Sequence, residues 1–207
     1  MAQGVPRDDD AARLPHSIKY IATRNGENIG SCVFRFERSS ETLVVRIDVE
    51  LTARILSIPV YRWTHHSIEL WVDDRLVKMT ADTDDNGARR HVEATSNQAG
   101  SISLAVEGKI TSVDGDAVPA SFWNPAVLKS KTVINAVSGE AAHPVVRRVE
   151  DSGIGPPANG RAADVFLLTS APALKQELWF GANDRLVQFI AFGPDGSGIV
   201  YHIVAEH

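Results

Sequence analysis

Hydrophobic and polar residues alternate along most of this chain. In residues 43–51, LVVRIDVEL, apolar side chains occupy every second position and mostly charged ones lie between them. A period of two is typical of a strand with one buried face. Similar patterns predict strands near residues 17–24, 29–38, 43–51, 59–72, 75–82, 88–97, 101–107, 143–150, 161–169, 174–180, 185–192 and 198–205. The sequence therefore predicts an all-β fold, a single antiparallel β-barrel or half-barrel of about ten or more strands.

Turn and loop residues separate these strands. Asn25-Gly26 is a strong hairpin signal, because both residues tolerate a positive φ angle. The alternation stops in VPASFWNPAVLKSK, residues 118–131, where Asn124 followed by Pro125 predicts the start of one short helix near 124–130. We expect the 119–131 segment to cover one mouth of the barrel. The composition of DSGIGPPANG, residues 151–160, predicts a mobile loop.

A short motif occurs twice, as ELWVDDRLV at residues 69–77 and as ELWFGANDRLV at 177–187. With a turn at 73–74, Trp71 falls opposite Leu76 and Glu69 opposite Lys78. A longer loop at 181–184 gives the second copy equivalent pairs, with Trp179 opposite Leu186 and Glu177 opposite Gln188. Because cross-strand pairs stabilise a sheet, we interpret the repeat as duplicated architecture and not as a duplicated active site.

Composition narrows the function classes. The chain has 207 residues, a net charge of -5 and one cysteine. This predicts one domain over 17–207 after a disordered segment at 1–16, with no nucleic-acid partner and no internal disulfide. Cys32 alternates with Phe34 and Phe36, which predicts a buried, inert thiol. No apolar run is long enough for a transmembrane segment, and no signal peptide is visible. Localisation stays open between cytoplasmic and, if a signal peptide was removed, periplasmic or exported.

Candidate chemistry concentrates on one face of the strand near 59–72. That face carries Tyr61, Trp63, His65, Ser67, Glu69 and Trp71. If it points into a barrel, it forms the wall of a small-molecule cavity, with apolar surface and a few polar groups. His65 and Glu69 lie about 13 Å apart along the strand, so each needs a substrate or a partner on a neighbouring strand. The candidate partners are Arg75, His91, Glu93, Tyr201 and His202.

Two alternatives to this cavity follow from the same residues. An aromatic and polar face can also be an exposed surface or the contact of a homo-oligomer. Metal binding by His65, His66, His91 and His202 is disfavoured, because neighbouring positions point to opposite faces and no metal-ligand spacing appears. Nucleophile-elbow, phosphate-loop and dinucleotide motifs are absent from the sequence, so we predict no cofactor.

Several longer motifs carry a resemblance to a known family. They are NGENIGSCVFRF, HHSIELWVDDRLVKMTADTDDNG, SFWNPAVLKSKTVINAVSGE and ELWFGANDRLVQFIAFGPDGSGIVYHI. Over most of residues 17–205 the chain resembles a family of uncharacterised, typically exported bacterial domains, similar in pattern to barrel-like lipoprotein-carrier folds. The resemblance implies a calyx-like β fold and export. It implies no activity. It draws attention to the recurring motif positions His65, Glu69, Trp71, Arg75, Trp123 and Asn124.

Two functions follow from these observations. In the first, the barrel binds a small, largely apolar or aromatic molecule through Tyr61, Trp63, Trp71, Trp123, Asn124, Tyr201 and His202. In the second, it is a cofactor-independent lyase or isomerase, with His65 as general acid or base and Glu69 or Arg75 in the same cavity. The enzyme requires a His65 pKa near neutrality, whereas the binding protein requires a hydrophobic pocket whose few polar groups are satisfied.

Overall fold

The strands follow the chain almost without interruption. The computed structural model describes residues 14–149, 163–170, 174–192 and 196–207. The first eight strands are β1 Ser17–Arg24, β2 Glu27–Ser39, β3 Thr42–Ile55, β4 Ile58–Val72, β5 Arg75–Asp85, β6 Ala88–Ser96, β7 Ser101–Val106 and β8 Lys109–Asp114. Three short strands follow, β9 Val118–Pro119, β10 Val133–Ile134 and β11 Ala141–Ala142, and then β12 Val145–Val149, β13 Asp164–Ser170, β14 Leu174–Phe180, β15 Leu186–Phe192 and β16 Gly198–Glu206.

Thirteen strands form one antiparallel sheet in the order β12-β13-β14-β15-β16-β1-β2-β3-β4-β5-β6-β7-β8. The first and last strands of the chain, β1 and β16, pair with each other in the middle of this sheet. The order begins with β12 and ends with β8, and the described residues show no pairing between these two edge strands. The fold is therefore all-β and barrel-like, and the predicted half-barrel is confirmed.

Alternating burial shows why these sequences form strands. In β3, the apolar set Leu43, Val45, Ile47, Val49 and Leu51 is buried, and the residues between them are more exposed. Equivalent buried positions on most of the sheet belong to one hydrophobic core. We call the face of the sheet that lines this core the inner face. Cys32 is buried on this face as predicted, and burial raises the pKa of its thiol.

Residues 115–144 lie against the inner face, and we call them the interior segment. They contain the three short strands and a 3-10 helix at Pro125–Leu128, close to the predicted helix. Phe122 contacts Phe189 of β15, and Trp123 contacts Phe36 of β2 and Trp71 of β4. Because one short segment reaches strands so far apart in the sheet order, the sheet curls around it. The segment packs against the inner face and does more than cover a mouth.

The repeated motif forms two hairpins, but their registers differ. In the first, Trp71 pairs with Leu76 as predicted, and a β-bulge then places Glu69 opposite Met79 and not Lys78. In the second, Phe180 takes the position opposite Leu186, while Trp179 pairs with Gln188. The prediction that both copies keep their cross-strand partners is therefore wrong.

The register difference moves the second copy to the other face of the sheet. Leu178 and Phe180 join the main core, whereas Trp179 belongs to a second cluster with Val187 and Ile190. A slip of one residue turns every side chain over, since strand side chains alternate between faces. The two Glu-Leu-Trp motifs thus share a hairpin shape and occupy different environments.

Sequence patterns missed only short elements. The strand β8 was not predicted, although Glu107 and Gly108 form a two-residue turn with positive φ angles before it. The small strands β9, β10 and β11 were also missed, because two residues carry no periodicity. The predicted loop at 151–160, most of the segment at 1–16, and residues 150, 161–162 and 193–195 lie outside the described residues.

Candidate functional site

The aromatic and polar face of β4 points inward. His65, Ser67, Glu69 and Trp71 are all buried, and the residues between them are more exposed. The predicted common face is therefore present in the structure, and it faces the interior segment. Within this row of inner-face residues, polar groups have two separate sets of partners, one centred on Glu69 and one on His65.

Glu69 is fully buried between two tryptophans. Its Oε2 atom accepts a hydrogen bond from Trp71 Nε1 at 3.0 Å and another from Trp123 Nε1 at 2.8 Å. Its Oε1 atom has no hydrogen-bond partner among the described residues. Burial raises the pKa of the Glu69 carboxyl, and interactions with the side chains of Trp123, Ser121 and Trp71 act in the opposite direction. Burial outweighs these interactions, so the carboxyl holds its proton more readily than an ordinary glutamate, and Oε1 is its oxygen without a partner in the described chain.

His65 lies in the second set. Its Nδ1 atom is hydrogen-bonded to Thr83 Oγ1 at 2.8 Å, and its ring stacks on that of Trp63 at a centroid distance of 5.7 Å. Burial lowers the pKa of His65 to about 4, with a smaller effect of His66 in the same direction. The imidazole is therefore neutral near pH 7. His65 and Glu69 share a face, and among the described residues they have no hydrogen-bond partner in common.

Tyr61 marks the end of this row. It is partly exposed, and its hydroxyl donates a hydrogen bond to Asp85 Oδ1 at 2.5 Å. Burial, followed by the hydrogen bond to Asp85, raises the pKa of Tyr61 to about 12. The ring thus lies at the rim of the inner face, next to Trp63, and not among the buried groups around Glu69.

Trp123 and Asn124 have different roles in the structure. Trp123 is half-buried and makes an edge contact with Trp71 at a centroid distance of 5.5 Å, in addition to its bond to Glu69. Asn124 caps the 3-10 helix, and its Oδ1 accepts a hydrogen bond from the backbone N–H of Ala126 at 2.9 Å. The cap fixes where the chain leaves Trp123, so Asn124 positions the tryptophan.

An aromatic network extends from this tryptophan pair. Phe36 contacts Trp123, Phe34 stacks on Phe36, and Tyr20 makes an edge contact with Phe34. On the far side, Phe189 contacts Tyr20, Phe122 and Tyr201, and its ring stacks on Tyr201 at 4.3 Å. Tyr201 was predicted as a site residue and is buried here. Tyr20, Phe36 and Phe189 were missed, although each is an apolar position in an alternating strand.

The sequence is similar to that of a known protein family. A family model described as a domain of unknown function, DUF6134, matches residues 20–204. The chain belongs to the DUF6134 family. The predicted resemblance to an uncharacterised family with a barrel-like fold is thereby confirmed. No curated protein matches the sequence.

This DUF6134 domain is also similar to a solved structure. That structure is the crystal structure of a beta-barrel-like protein of domain of unknown function DUF1849 from Brucella abortus. The two chains are 12% identical with a TM-score of 0.59, and the match covers 92% of the DUF6134 chain and 96% of the other. At this identity the similarity shows the fold alone.

Other predicted site residues of the DUF6134 domain lie on the outer face of the sheet. Arg75 is exposed and pairs with Val72, so the structure does not bring it to Glu69 or His65. His202 neighbours the inward Tyr201 in β16 and pairs with Ile21 and Gln188. It therefore lies on the opposite face from Tyr201 and does not reach the buried set.

Two histidines and two aspartates form a cross-strand row on that outer face. Asp48, His66, Asp82 and His91 are paired in this order across β3, β4, β5 and β6. His66 Nδ1 donates to Asp48 and His91 Nδ1 donates to Asp82, each at 2.7 Å, beside a groove of about 590 Å³. Within the described ranges, no group of three or more His, Cys, Asp or Glu residues could hold a metal ion. No helix in the same ranges is long and apolar enough to cross a membrane.

Proposed function

We propose that this DUF6134 domain binds a small, largely apolar or aromatic molecule inside its open barrel, next to Glu69. The observation that carries the proposal is the unsatisfied Oε1 atom of a fully buried carboxyl. Leaving a buried polar atom without a partner costs about 1–3 kcal/mol. A ligand that offers a hydrogen bond to this atom recovers part of that cost, and aromatic rings on the same face supply apolar contact.

The environment of Glu69 also defines the polar group of the ligand. Oε2 accepts two indole N–H donors, so when the carboxyl is protonated its proton resides on Oε1. The site then offers one O–H donor, which suits a carbonyl, ether or hydroxyl oxygen on the ligand. The cross-strand neighbours of Glu69 are Val45 and Met79, and neither carries a charge. A neutral ligand fits this site better than an ion.

Trp123 provides the approach to the carboxyl. It is the partly exposed member of the Glu69, Trp71 and Trp123 group, and it is carried by the interior segment. We place the ligand beside its ring, where a small displacement of the segment opens the space around Oε1. Tyr61 and Trp63, at the other end of the row, line the path toward the rim.

The enzymatic alternative has less support. A cofactor-independent lyase or isomerase would need His65 to exchange a proton near neutral pH. Burial lowers the pKa of His65 to about 4, and its Nδ1 atom is engaged by Thr83. Arg75, the proposed electrostatic partner, is exposed on the outer face. These positions favour binding over acid–base catalysis.

The test compares acetophenone, which has a carbonyl acceptor, with ethylbenzene, which has none. Native mass spectrometry of the protein from its own host first shows whether a molecule co-purifies. We expect acetophenone to raise the melting temperature more than ethylbenzene, because its carbonyl accepts the O–H of Glu69 and it therefore binds more tightly. A ligand at about 100 times its Kd adds about 2.7 kcal/mol to the free energy of unfolding. We expect this difference to fall as pH rises, because ionisation of Glu69 removes the donor.

Two matched variants connect the result to Glu69. Glu69→Gln keeps the shape and a donor, so acetophenone binding should persist and lose its dependence on pH. Glu177→Gln changes the same residue of the other motif copy, which is on the opposite face, and should keep the pH dependence of the wild type. The proposal is wrong if neither compound shifts the wild type, or if both variants show the same pH profile.

A further inference from the structure

The hairpin between β3 and β4 projects beyond the sheet. Pairing of β3 with β2 ends at Leu51, and pairing of β4 with β5 begins at Trp63. The strand pairs of residues 52–62 are therefore with each other, through Thr52 with Arg62, Ala53 with Tyr61, and Ile55 with Ile58. At the base, the Arg62 carbonyl also accepts a hydrogen bond from the backbone N–H of Asn86 at 2.8 Å. We call residues 52–62 the ribbon. It is a two-stranded projection without a neighbouring strand on either side.

The turn at the end of the ribbon has an unusual composition. Five two-residue hairpin turns in the described chain have positive φ at both positions. Four of them use polar residues or glycine, at 25–26, 73–74, 86–87 and 107–108. The ribbon instead uses Leu56 and Ser57, with φ angles of 49° and 70°. Leucine is unfavourable in this conformation, and Asn-Gly is the residue pair that such turns prefer.

The same leucine is almost fully exposed. Leu56 has a relative exposure of 92%, and Ile55, Ile58 and Val60 have 64%, 65% and 50%. These aliphatic side chains lie on both strands and at the turn, so they surround the tip on more than one side. Exposed aliphatic residues grouped in this way indicate a contact with an apolar environment. A convex tip is suited to insertion, whereas a protein groove would contact one side of it.

Charge identifies which apolar environment fits. The ribbon contains Arg54 and Arg62, both exposed, and no acidic residue, although the whole chain has a net charge of -5. Tyr61 lies between the two arginines along the ribbon, because Arg62 is nearer the sheet and Arg54 is nearer the tip. An aliphatic tip followed by two arginines with an aromatic ring between them matches the apolar interior of a bilayer and then its interface with anionic headgroups. We propose that the ribbon docks this protein onto the surface of an anionic lipid bilayer.

The dimensions of the ribbon agree with shallow insertion. From the turn to the pair Ala53 and Tyr61 is three residues, or about 10 Å in an extended strand. Interfacial segments bury their apolar side to about 5–10 Å. Insertion to this depth covers the four exposed aliphatic side chains and leaves Arg62 at the headgroups. Arg54 is nearer the tip, and its long side chain extends back to the headgroups. The rest of the barrel stays outside the bilayer.

Vesicle sedimentation tests the proposal with the full chain. We expect binding to vesicles of equal parts phosphatidylglycerol and phosphatidylcholine, weaker binding to phosphatidylcholine alone, and a decrease as salt rises. The double variant Leu56→Asn with Ser57→Gly should weaken binding at least about tenfold, because it removes the most exposed apolar side chain. It should not lower the melting temperature, since Asn-Gly suits the turn. Arg54→Gln and Arg62→Gln should each cost about fivefold and reduce the salt dependence.

A matched control separates this site from apolar exposure in general. Ile110 on β8 is 70% exposed and distant in sheet order from the ribbon, so Ile110→Asn should leave vesicle binding unchanged. Loss of binding in Ile110→Asn, or full binding in the Leu56→Asn, Ser57→Gly variant, overturns the proposal. So does a dimer in solution that this variant dissociates while no vesicle binding occurs, because the tip then contacts a second copy.

Discussion

At the residue scale, burial gives His65 a measurable effect on stability. An ordinary histidine has a pKa of about 6.5, and burial lowers that of His65 in the folded protein to about 4. Between these values the unfolded chain binds more protons than the folded one. We therefore expect stability that is complete above about pH 6.5 and falls by up to about 3 kcal/mol as the pH drops to 4. Chemical denaturation at several pH values measures this loss.

The variant His65→Gln removes the titrating group and should flatten the profile between pH 6.5 and 4. Slopes and not absolute stabilities decide the result, because the variant also loses the stack on Trp63. His91→Gln changes an exposed histidine on the outer face and serves as the control, which should retain the slope. Equal slopes in wild type and His65→Gln would contradict the assigned environment.

Glu69 acts on stability in the opposite direction. Burial raises the pKa of its carboxyl, so the folded state holds a proton that the unfolded state has lost. The corresponding stability is present at low pH and is lost as pH rises from the ordinary value of about 4.5 through the raised one. The sequence placed Glu69 on the correct face, since alternation fixes that. It could not show that both indole donors bind the same oxygen and leave the other without a partner among the described residues, because Trp123 is 54 positions from Glu69 in the chain.

At the element scale, the interior segment docks on the sheet through a glycine. Gly139 has a φ angle of 72°, and a Cβ atom there would lie 2.1 Å from Val106 Cγ2 on β7. Gly139→Ala should therefore displace the segment and lower the free energy of unfolding by about 2–4 kcal/mol. Gly26→Ala is a matched control, with a φ angle of 80° and no atom within 4 Å of the added Cβ. It should cost only about 1 kcal/mol of backbone strain.

Thermal or denaturant unfolding of both variants measures the difference, which reports on docking of the interior segment. Equal losses in Gly139→Ala and Gly26→Ala would show that backbone strain alone acts at both sites. Gly139→Ala should also weaken binding of acetophenone, because Trp123 belongs to the displaced segment.

The two hairpins show what alternation can and cannot predict about elements. It predicted most strands to within a few residues, because each has one face in the core and so obeys a period of two. It could not predict the bulges beside Trp71 and Phe180, which depend on backbone geometry and leave no periodic signal. Those bulges decide that Trp71 faces the interior segment while Trp179 belongs to the second cluster. The same Glu-Leu-Trp sequence therefore contributes to the candidate site in one copy and to structural packing in the other.

At the scale of the whole molecule, pairing of β16 with β1 joins the two halves of the sheet. The halves are β1 to β8 and β12 to β16, and among the described residues their strands pair with each other only where β16 meets β1. Tyr20 strengthens this junction, because its buried hydroxyl in β1 donates a hydrogen bond to the Leu186 carbonyl in β15 at 2.7 Å, across β16. The molecule should therefore unfold as one cooperative unit.

Tyr20→Phe tests this unity. It leaves the Leu186 carbonyl without its donor and should lower stability by about 1–2 kcal/mol. Hydrogen exchange in rising denaturant, followed on peptides from β4 and β14, should show the same loss in both halves of the sheet. Tyr61→Phe removes a partly exposed hydroxyl bound to Asp85 and should cost less than about 0.5 kcal/mol. A loss of stability confined to β14 in Tyr20→Phe would mean that the two halves of the sheet unfold separately. It would also show that the interior segment, which contacts both halves, does not couple their unfolding.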